Sequence, residues 1–455
     1  MTNNLLSGMN LLYLSIGMFF SLISCQSEII KKTEGKIIEP VQVKSEINLI
    51  GQWVGEGDKE RLLIEFVNEY EFLNQDVKVN LKMRDDVYKA SDEAQFIVEQ
   101  LKKPVADWDI IARIHANYQQ VATILNDPLW GEKYLVNFSE VPGFLESHKP
   151  FINTKMYKER YGNLVFGPHN EGQLTALYVN TDVAKKMGIT VKQYGMTFDD
   201  YLGYIKAANE YNKSHDYIAP VFEDVRWIHS ELIFKQMFFS LMDSYEQILD
   251  TRFTPEKQQA IEKCYKAFEE LSKYSPILKE RLNINWGRDN VYPLEDKCLF
   301  FPNYTFMYPI WKMKGKDKMY KMMPCELPVF RPSITYMGGY VANWGVLKNA
   351  PHKEEAIKLM MFWCTPEIAE KWVRYTKSPS GVIGNLTITS FGVDPFEDFM
   401  YTIDAKYQGK MMQELDNQYI LGEKNYKIPY RVIEVLEGRM TANEAMDELK
   451  SKLVN

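Results

Sequence analysis

The sequence predicts an α/β protein with more than one lobe. Strand-like and helix-like segments alternate along its first part, an order typical of a parallel sheet covered by helices on both faces. The chain has 455 residues, which is more than one hydrophobic core usually organises and indicates two or three lobes. Hydrophobic residues make up 45% of the chain and charged residues 25%, a composition typical of globular proteins.

The alternation starts at residue 47, where the apolar run 47–50 predicts the first strand. A helix follows, because one face collects the apolar side chains of Leu62, Leu63, Phe66, Val67, Tyr70 and Leu73. The run 77–81 alternates apolar and polar residues as a half-buried strand does. The next predicted elements are a helix around 96–101, a strand at 108–111 and a helix from about Tyr118.

Beyond residue 180 the sequence is rich in predicted helices. Thr197 and Thr441 open capping-box patterns, in which an acidic residue follows the threonine at the third helical position. Thr254 and Thr365 each precede a proline, which is favoured as the first residue of a helix. Short strand-like runs lie at 219–222, 299–301 and 339–341.

The charge distribution excludes some classes of partner. The net charge is −7 and the sequence has no basic tract, which argues against nucleic acid or anionic lipid as the main partner. Aromatic residues reach 13%. Most of them belong in cores, but such rings also supply flat faces that pack on sugar rings.

The first 25 residues differ from the rest of the chain. An apolar stretch, too short for a membrane-spanning helix, ends at Leu22-Ile23-Ser24-Cys25 and is typical of a secretory signal. These four residues resemble the lipobox of bacterial lipoproteins, in which the cysteine becomes the lipidated N-terminus. Residues 1–24 have no lysine or arginine, unlike the usual signal. We expect a signal peptide at 1–25, lipidation at Cys25 and a polar tether at 26–45.

The sequence has no recognisable catalytic motif. Gly55-Glu56-Gly57 follows the first predicted strand, but Glu60 stands where a dinucleotide-binding fingerprint needs its third glycine. Phosphate-loop, zinc-protease and nucleophile-elbow patterns are missing from the sequence. Carboxylates such as Glu171 and Glu223 could form the acid and base of a glycoside hydrolase. We nevertheless expect a protein that is not an enzyme.

Metal and cofactor sites are not expected either. The six histidines lack the spacing of metal ligands. Cys264, Cys298, Cys325 and Cys364 match neither a CxxC redox motif nor a zinc site, and both free thiols and two disulfides remain open for them.

Several segments, in order, resemble the family of extracellular solute-binding proteins that includes maltose-binding proteins. Residues 161–168 (Tyr-Gly-Asn-Leu-Val-Phe-Gly-Pro), with Glu171 and 177–180 after them, resemble the stretch where the chain first crosses between lobes. The later matches are 182–189 and 197–200 (a helix ending in glycine and a new cap), 296–300 (a Gly-Lys-Ala-Ala-Met type strand without its glycine), 338–346, 351–363 and 365–367 (the return to the first lobe), and 436–449 (the terminal helix).

The resemblance covers about residues 47–453 and implies a fold and a function. The fold is the two-lobed, type II periplasmic-binding-protein fold, with mixed sheets flanked by helices, a hinge and an interlobe cleft. The implied division is 46–172 plus 331–376 for the first lobe and 173–330 plus 377–455 for the second. The implied function is capture of a small solute, a sugar or oligosaccharide, for the permease subunits of an ABC transporter. We expect a monomer, lipid-anchored in a bacterial cell envelope.

Candidate solute contacts follow from the position of the cleft, which lies outside the carboxyl ends of the strands in such folds. They are Trp53, His115, Asn117, His169, Asn170, Glu171, Glu223, Asp224, Trp227, Asn303, Tyr304, Phe306, Gly339, Tyr340 and Tyr375. Aromatic faces would pack on a sugar ring, while amides and carboxylates would bind its hydroxyls. Trp227 is the strongest single candidate.

Two other functions stay open on the sequence alone. One is a surface glycan-binding lipoprotein that serves no permease, although the strands near Leu49, Val79 and Ile110 argue against an all-helical protein of that kind. The other is a lipid-anchored glycoside hydrolase, which turnover of an oligosaccharide would establish.

Overall fold

The computed structural model describes residues 45–87, 92–151, 155–223, 229–278, 291–384, 394–407, 409–412, 418–422 and 428–453. The strands are β1 Ser45–Gly51, β2 Val77–Met83, β3 Ile110–Ala112, β4 Glu171–Asn180, β5 Ala219–Val221, β6 Cys298–Tyr304, β7 Met322–Cys325, β8 Tyr336–Val341, β9 Trp344–Val346 and β10 Met411–Met412.

The α-helices are α1 Asp58–Leu73, α2 Arg84–Val87, α3 Glu93–Lys102, α4 Ile114–Leu125, α5 Trp130–Tyr134, α6 Lys155–Tyr161, α7 Thr181–Lys186, α8 Phe198–Tyr211, α9 Ser230–Phe239, α10 Tyr245–Leu249, α11 Pro255–Ser272, α12 Met307–Met319, α13 Lys353–Phe362, α14 Pro366–Thr376, α15 Pro395–Tyr407, α16 Gln418–Leu421, α17 Val432–Leu436 and α18 Ala442–Lys452. Short 3-10 turns lie at Phe138–Glu140 and Tyr292–Glu295.

These strands form two mixed sheets. The first has the order β2-β1-β3-β9, in which β1 is parallel to β2 and β3 while β9 is antiparallel to β3. The second has the order β10-β8-β4-β6-β5, with β7 also paired to β4. Strand β4 is antiparallel to its neighbours, and β5 is parallel to β6. Helices flank both sheets, which confirms the predicted α/β class.

Local sequence signals place most helix starts correctly. Thr197 and Thr441 each form the predicted capping box with the acidic residue three positions later. Thr254 caps α11, and α14 starts at Pro366 as predicted, although the Thr365 side chain makes no cap bond. The helix predicted from about Tyr118 begins earlier, at Ile114, directly after β3.

The core of the first sheet is built by the predicted face of α1, which buries its apolar side chains except at its end. Leu73 was expected on that face but is 62% exposed, because it is the last helical residue. Helices α13 and α14 pack on the same sheet and on α1. The segment 344–376 therefore returns to the first sheet.

The chain passes from the second sheet to the first between β8 and β9. Strand β8 pairs with β4 through residues 338–341 and with β10 through residues 336–337, so it belongs to the second sheet. The β4 pairing satisfies the β8 backbone, and the chain then enters β9 only three residues after Val341. The lobe boundaries as a whole stay a prediction.

Residues 1–44, and with them the signal peptide and Cys25, lie outside the described residues. The other four cysteines are free and buried. In the described part of the chain, no helix is both long and apolar enough to cross a bilayer.

Candidate functional site

The centre of the site is Glu171, at the point where β4 begins. Its side chain is 2% exposed. Three side chains donate hydrogen bonds to its carboxylate: Lys59 through Nζ, Asn343 through Nδ2 at 2.5 Å, and Trp53 through Nε1 at 3.3 Å. These donors come from the first turn of α1, the β8–β9 link and the loop after β1. Glu171 thus joins the first sheet to the strand that crosses into the second.

Glu171 and Lys59 form an ion pair. Burial opposes the charge on Glu171, but the Lys59 ammonium and the hydrogen bonds that the carboxylate accepts hold its pKa below the ordinary value. Burial also opposes the charge on Lys59, and Glu171 and Glu56 outweigh it and raise the lysine pKa. Glu56 lies 3.4 Å from the Lys59 ammonium and stays 32% exposed. Although the Glu56 carboxylate keeps contact with water, loss of solvation in the surrounding protein raises its pKa.

Trp53 reaches the site through its indole N–H only. Its side chain is 3% exposed, and its ring centroid lies 4.9 Å from that of Trp344 and 4.8 Å from that of Trp372. Its φ is 72°, a left-handed conformation that costs a non-glycine residue ~1–3 kcal/mol and occurs often at functional sites. The ring belongs to a tryptophan cluster, where it has no free face for a sugar in this conformation.

A cavity of about 50 Å³, which widens to about 600 Å³ when the adjoining open space is included, lies beside the start of β4. It brings together three predicted contacts, His169, Gly339 and Tyr340. The remaining wall residues are Phe151, Tyr157, Arg160, Tyr161, Phe166, Val341, Ala342, Gly409 and Met411. Five of the wall residues are aromatic; four of them are buried in this conformation, and Phe151 is the partly exposed ring on which a sugar could pack.

Three histidines near the cavity are held neutral. His148 Nε2 accepts the backbone N–H of His169 at 3.3 Å, so its Nδ1–H donates to the Phe144 carbonyl at 2.8 Å. Burial lowers the pKa of His148 to about 4. Burial, together with His148 and His115, holds the pKa of His169 well below 6.5. Burial, and next the Arg160 cation, lowers the pKa of His115 to about 3.

Four buried polar atoms at the crossing have no hydrogen-bond partner among the described residues. They are Gln52 Oε1, His115 Nδ1, His169 Nδ1 and Asn170 Oδ1. His169 is 2% and Asn170 4% exposed. An unsatisfied buried polar atom costs ~1–3 kcal/mol. These atoms are therefore candidates for contact with a bound solute.

Glu223 has a structural position that the sequence did not predict. Its carboxylate accepts the backbone N–H of Ser230 at 3.0 Å, and also the backbone N–H of His229 and the Ser230 hydroxyl. These bonds satisfy amide groups at the start of α9 that would otherwise lack partners. Both carboxylate oxygens are thus engaged at a helix start. The neighbouring candidates Asp224 and Trp227 lie outside the described residues.

Asn117 supports the loop after β3. Its Nδ2 donates to Glu93 at 3.0 Å and to the carbonyl of Arg113 at 3.1 Å. Glu93 in turn lies 3.1 Å from the Arg113 guanidinium. Arg113 has a left-handed φ of 59°, as Trp53 does at the end of the parallel strand β1. Asn117 therefore contributes to the site through Arg113.

Two of the three candidates near the end of β6, Asn303 and Tyr304, are strand residues of the second sheet, and Phe306 follows the strand. Asn303 and Tyr304 are buried, and Asn303 Oδ1 accepts the backbone N–H of Tyr304 at 2.8 Å. Phe306 stacks on Tyr304 with ring centroids 5.9 Å apart. The Lys59 ammonium lies 5.6 Å from the Phe306 centroid. Phe306 is thus the member of this group that reaches the Glu171 ion pair.

Tyr375 lies at the contact between α1 and α12. It is 39% exposed, and its ring centroid lies 4.8 Å from the Arg61 guanidinium and 5.7 Å from the Lys312 ammonium. The structure does not place it on the cavity wall.

The sequence prediction missed three residues of this site, Gln52, Lys59 and Asn343. Gln52 directly precedes Trp53, and Asn343 lies within the glycine-rich segment 338–346, so position alone could have indicated both. A lysine in the first turn of a helix carries no comparable signal. Within the described ranges, no group of His, Cys, Asp and Glu side chains could hold a metal ion.

Residues 65–382 match the family model of bacterial extracellular solute-binding proteins. The structure is similar to the solute-binding protein RafE in complex with raffinose, at 16% identity over 90% of this chain and 98% of that chain (TM-score 0.64). The apo-form of RafE from Streptococcus pneumoniae is similar at 15% identity over 91% and 99% (0.63). A sugar transporter protein from Bacillus licheniformis in complex with stachyose is similar at 14% identity over 90% and 99% (0.57).

At these identities the likeness concerns the fold, and it confirms the two-lobed periplasmic-binding-protein architecture that the sequence predicted. No curated protein matches the sequence.

Proposed function

The chain belongs to the family of bacterial extracellular solute-binding proteins, and we propose that it captures a sugar or oligosaccharide for an ABC-type uptake system. Members of this family bind solutes and are not enzymes. The proposal includes two further parts: delivery of the solute to membrane permease subunits, and attachment to the cell envelope through lipidated Cys25.

The observation that carries the proposal is the aromatic cavity beside Glu171. It combines ring faces with unsatisfied polar atoms, and a sugar has both an apolar ring face and hydroxyls. The solutes bound in two similar structures, raffinose and stachyose, are saccharides, which supports the same ligand class. The cavity walls come from residues before β4, from β8 and from β10, so segments on both sides of the crossing would enclose the solute.

The proposed mechanism requires no bond-making. Solute would enter while the lobes are apart, and closure would remove it from water. Contacts made only in the closed form shift the population toward that form, by no more than the difference between the two affinities. The closed protein would then be the form that the permease recognises.

The direct test is a saccharide panel applied to the chain from residue 26. Raffinose, stachyose, maltotriose and N-acetyl chitotriose are screened by thermal shift and then by calorimetry. A ligand present at 100 times its Kd should add about 2.7 kcal/mol to the free energy of unfolding. Phe151→Ala, in the cavity wall, should weaken binding by ~1–3 kcal/mol. Phe72→Ala is the control, because Phe72 is 76% exposed at the end of α1.

Mass spectrometry of the recovered ligand separates this proposal from the hydrolase alternative. The oligosaccharide should be recovered intact after prolonged incubation. Cleavage products, or a panel without any ligand, would refute the proposal.

A further inference from the structure

We infer that the solute is an uncharged saccharide, and that Gln52, His115, His169 and Asn170 determine its specificity by making the direct polar contacts. None of these contacts needs a charge on the solute. The inference rests on the proposed function and specifies which saccharides it covers.

The first step is the chemistry of the four atoms without partners. Gln52 Oε1 and Asn170 Oδ1 are carbonyl oxygens, which can only accept hydrogen bonds. The Nδ1 atoms of His115 and His169 belong to neutral imidazoles, and each donates or accepts according to its tautomer. A hydroxyl group both donates and accepts, so a set of hydroxyls can satisfy all four atoms.

The second step is proximity. His169 and Asn170 directly precede Glu171, and Gln52 directly precedes Trp53, whose indole donates to Glu171. His115 interacts electrostatically with both Glu171 and His169. Of the four residues, His169 lines the cavity wall, and the other three flank the crossing beside it. Each of the four atoms is buried.

The third step concerns charge. Three cations of this region are paired with carboxylates within the protein. Lys59 pairs with Glu171, Arg113 with Glu93 at 3.1 Å, and Lys149 with Asp404 at 2.7 Å, next to the Tyr340 hydroxyl. Arg160, the charged residue in the cavity wall, also interacts within the protein.

A charged solute would have to break one of these pairs or enter without an opposite charge. Burying an unpaired charge is strongly unfavourable. A neutral polyol avoids this cost, and it leaves the ion pairs in place.

The test uses two buried asparagines at opposite ends of β4. Asn170 precedes the strand and has the unsatisfied Oδ1. Asn180 ends it and is fully satisfied: Nδ2 donates to the Pro293 carbonyl at 3.1 Å and to Asp296 at 3.0 Å, and Oδ1 accepts two backbone N–H groups of α7. Leucine has nearly the shape of asparagine without its polar atoms, so N170L and N180L form a matched pair.

N170L should weaken binding of the best panel saccharide at least ten-fold, while the melting temperature of the unliganded protein stays the same or rises. The rise is expected because the variant removes a polar atom that is unsatisfied without solute. N180L should show the opposite: a lower melting temperature and an unchanged Kd. A structural role for Asn170 would instead lower the melting temperature of N170L.

The charge of the solute is tested with ligand pairs of equal length. Galactotriose is compared with trigalacturonate, and N-acetyl chitotriose with the glucosamine trimer. The neutral member of a pair that binds should bind at least ten-fold more tightly than its charged partner. Tighter binding of trigalacturonate, weakened by R160Q, would overturn the inference and indicate an acidic saccharide, while the proposed function would stand. If no saccharide binds, the proposed function fails and this inference fails with it.

Discussion

Asp58 and Lys312 form an ion pair of 2.6 Å between α1, which flanks the first sheet, and α12, which flanks the second. The residues on either side of Asp58 also contact the partner region. Gly57 approaches the Pro309 carbonyl so closely that an added Cβ would lie 2.7 Å from the oxygen, and Lys59 pairs with Glu171. Three consecutive residues at the start of α1 thus connect the two halves of the molecule.

Gly57→Ala should push the start of α1 away from α12, because the new methyl group would meet the Pro309 carbonyl oxygen, which cannot move without its backbone. Gly55→Ala is the matched control. Both glycines have a positive φ, 62° at Gly57 and 73° at Gly55, so each substitution also costs ~1–3 kcal/mol of local strain. No atom lies within 4 Å of a Cβ added at Gly55. Small-angle scattering should show a larger radius of gyration for G57A only.

The free energy of unfolding provides a second measurement on the same two variants. G57A should lose a further ~1–3 kcal/mol relative to G55A, the usual cost of overpacking. Equal losses, with equal radii of gyration, would show that the α1–α12 contact adjusts freely.

Mild acid should destabilise the protein through His148. Its folded pKa of about 4 lies below the ~6.5 of the unfolded chain, so the unfolded state binds more protons between these pH values. The free energy of unfolding from this group is therefore complete above pH ~6.5 and falls toward pH 4 by up to ~1.4 kcal/mol per pH unit. Urea unfolding at pH 7, 6 and 5 measures this slope.

His148→Gln isolates the contribution, because glutamine cannot take up a proton in this range. The dependence of the free energy of unfolding on pH should therefore be weaker in H148Q than in the wild type, by nearly the whole contribution of His148. His169 and His115 act in the same direction, since their pKa values are also lowered, so the variant keeps a residual slope. An unchanged slope in H148Q would mean that His148 is not held neutral.

Cys25→Ala should release the protein from the membrane into the soluble fraction of the cell envelope, because the thiol that would carry the lipid is lost. Ser24→Ala, one residue earlier, keeps the thiol and serves as the control. Fractionation followed by immunoblotting measures both variants. A C25A protein that stays unprocessed in the membrane fraction would show that the apolar segment itself is the anchor.

How much of the fold the sequence predicts depends on the range of the interactions. Capping at Thr197 and Thr441 is decided within four residues, and the pattern found it. The parallel pairing of β1 with β2 agrees with the predicted alternation of strands and helices. The passage from β8 to β9 could not be located in this way, because the pairing of β8 with β4 spans more than 160 residues and leaves no local signal.

The site shows the same limit. The predicted positions around residues 169–171 and 339–340 do meet at one cavity, since chain crossings and strand ends can be located from the sequence. The partners of Glu171 could not be located from the sequence, because Lys59 is 112 residues and Asn343 172 residues away from it. Glu223 shows that a carboxylate after a strand can instead cap a helix that starts seven residues later, a choice that depends on tertiary structure.

The ion pair at the centre of the site leads to the last prediction. Glu171→Gln should lower the free energy of unfolding by about 3 kcal/mol, because it leaves the Lys59 ammonium buried without its main partner. Glu56, 3.4 Å from that ammonium, retains part of the attraction, which places the loss at the low end of the usual 3–5 kcal/mol. Lys59→Met should cost a similar amount, since the buried carboxylate then loses its cationic partner.

The double variant Lys59→Met, Glu171→Leu decides whether the pair stabilises the fold or serves the site. Removing both charges also removes the cost of burying them, so the double variant should be far more stable than the sum of the two single losses predicts. Urea unfolding of all four proteins should give a coupling energy of about 2–3 kcal/mol. Strict additivity would mean that the two charges do not interact. A double variant that regains stability but no longer binds the best panel saccharide would show that Glu171 is retained for the solute, while full binding by that variant would assign recognition to the residues of the cavity.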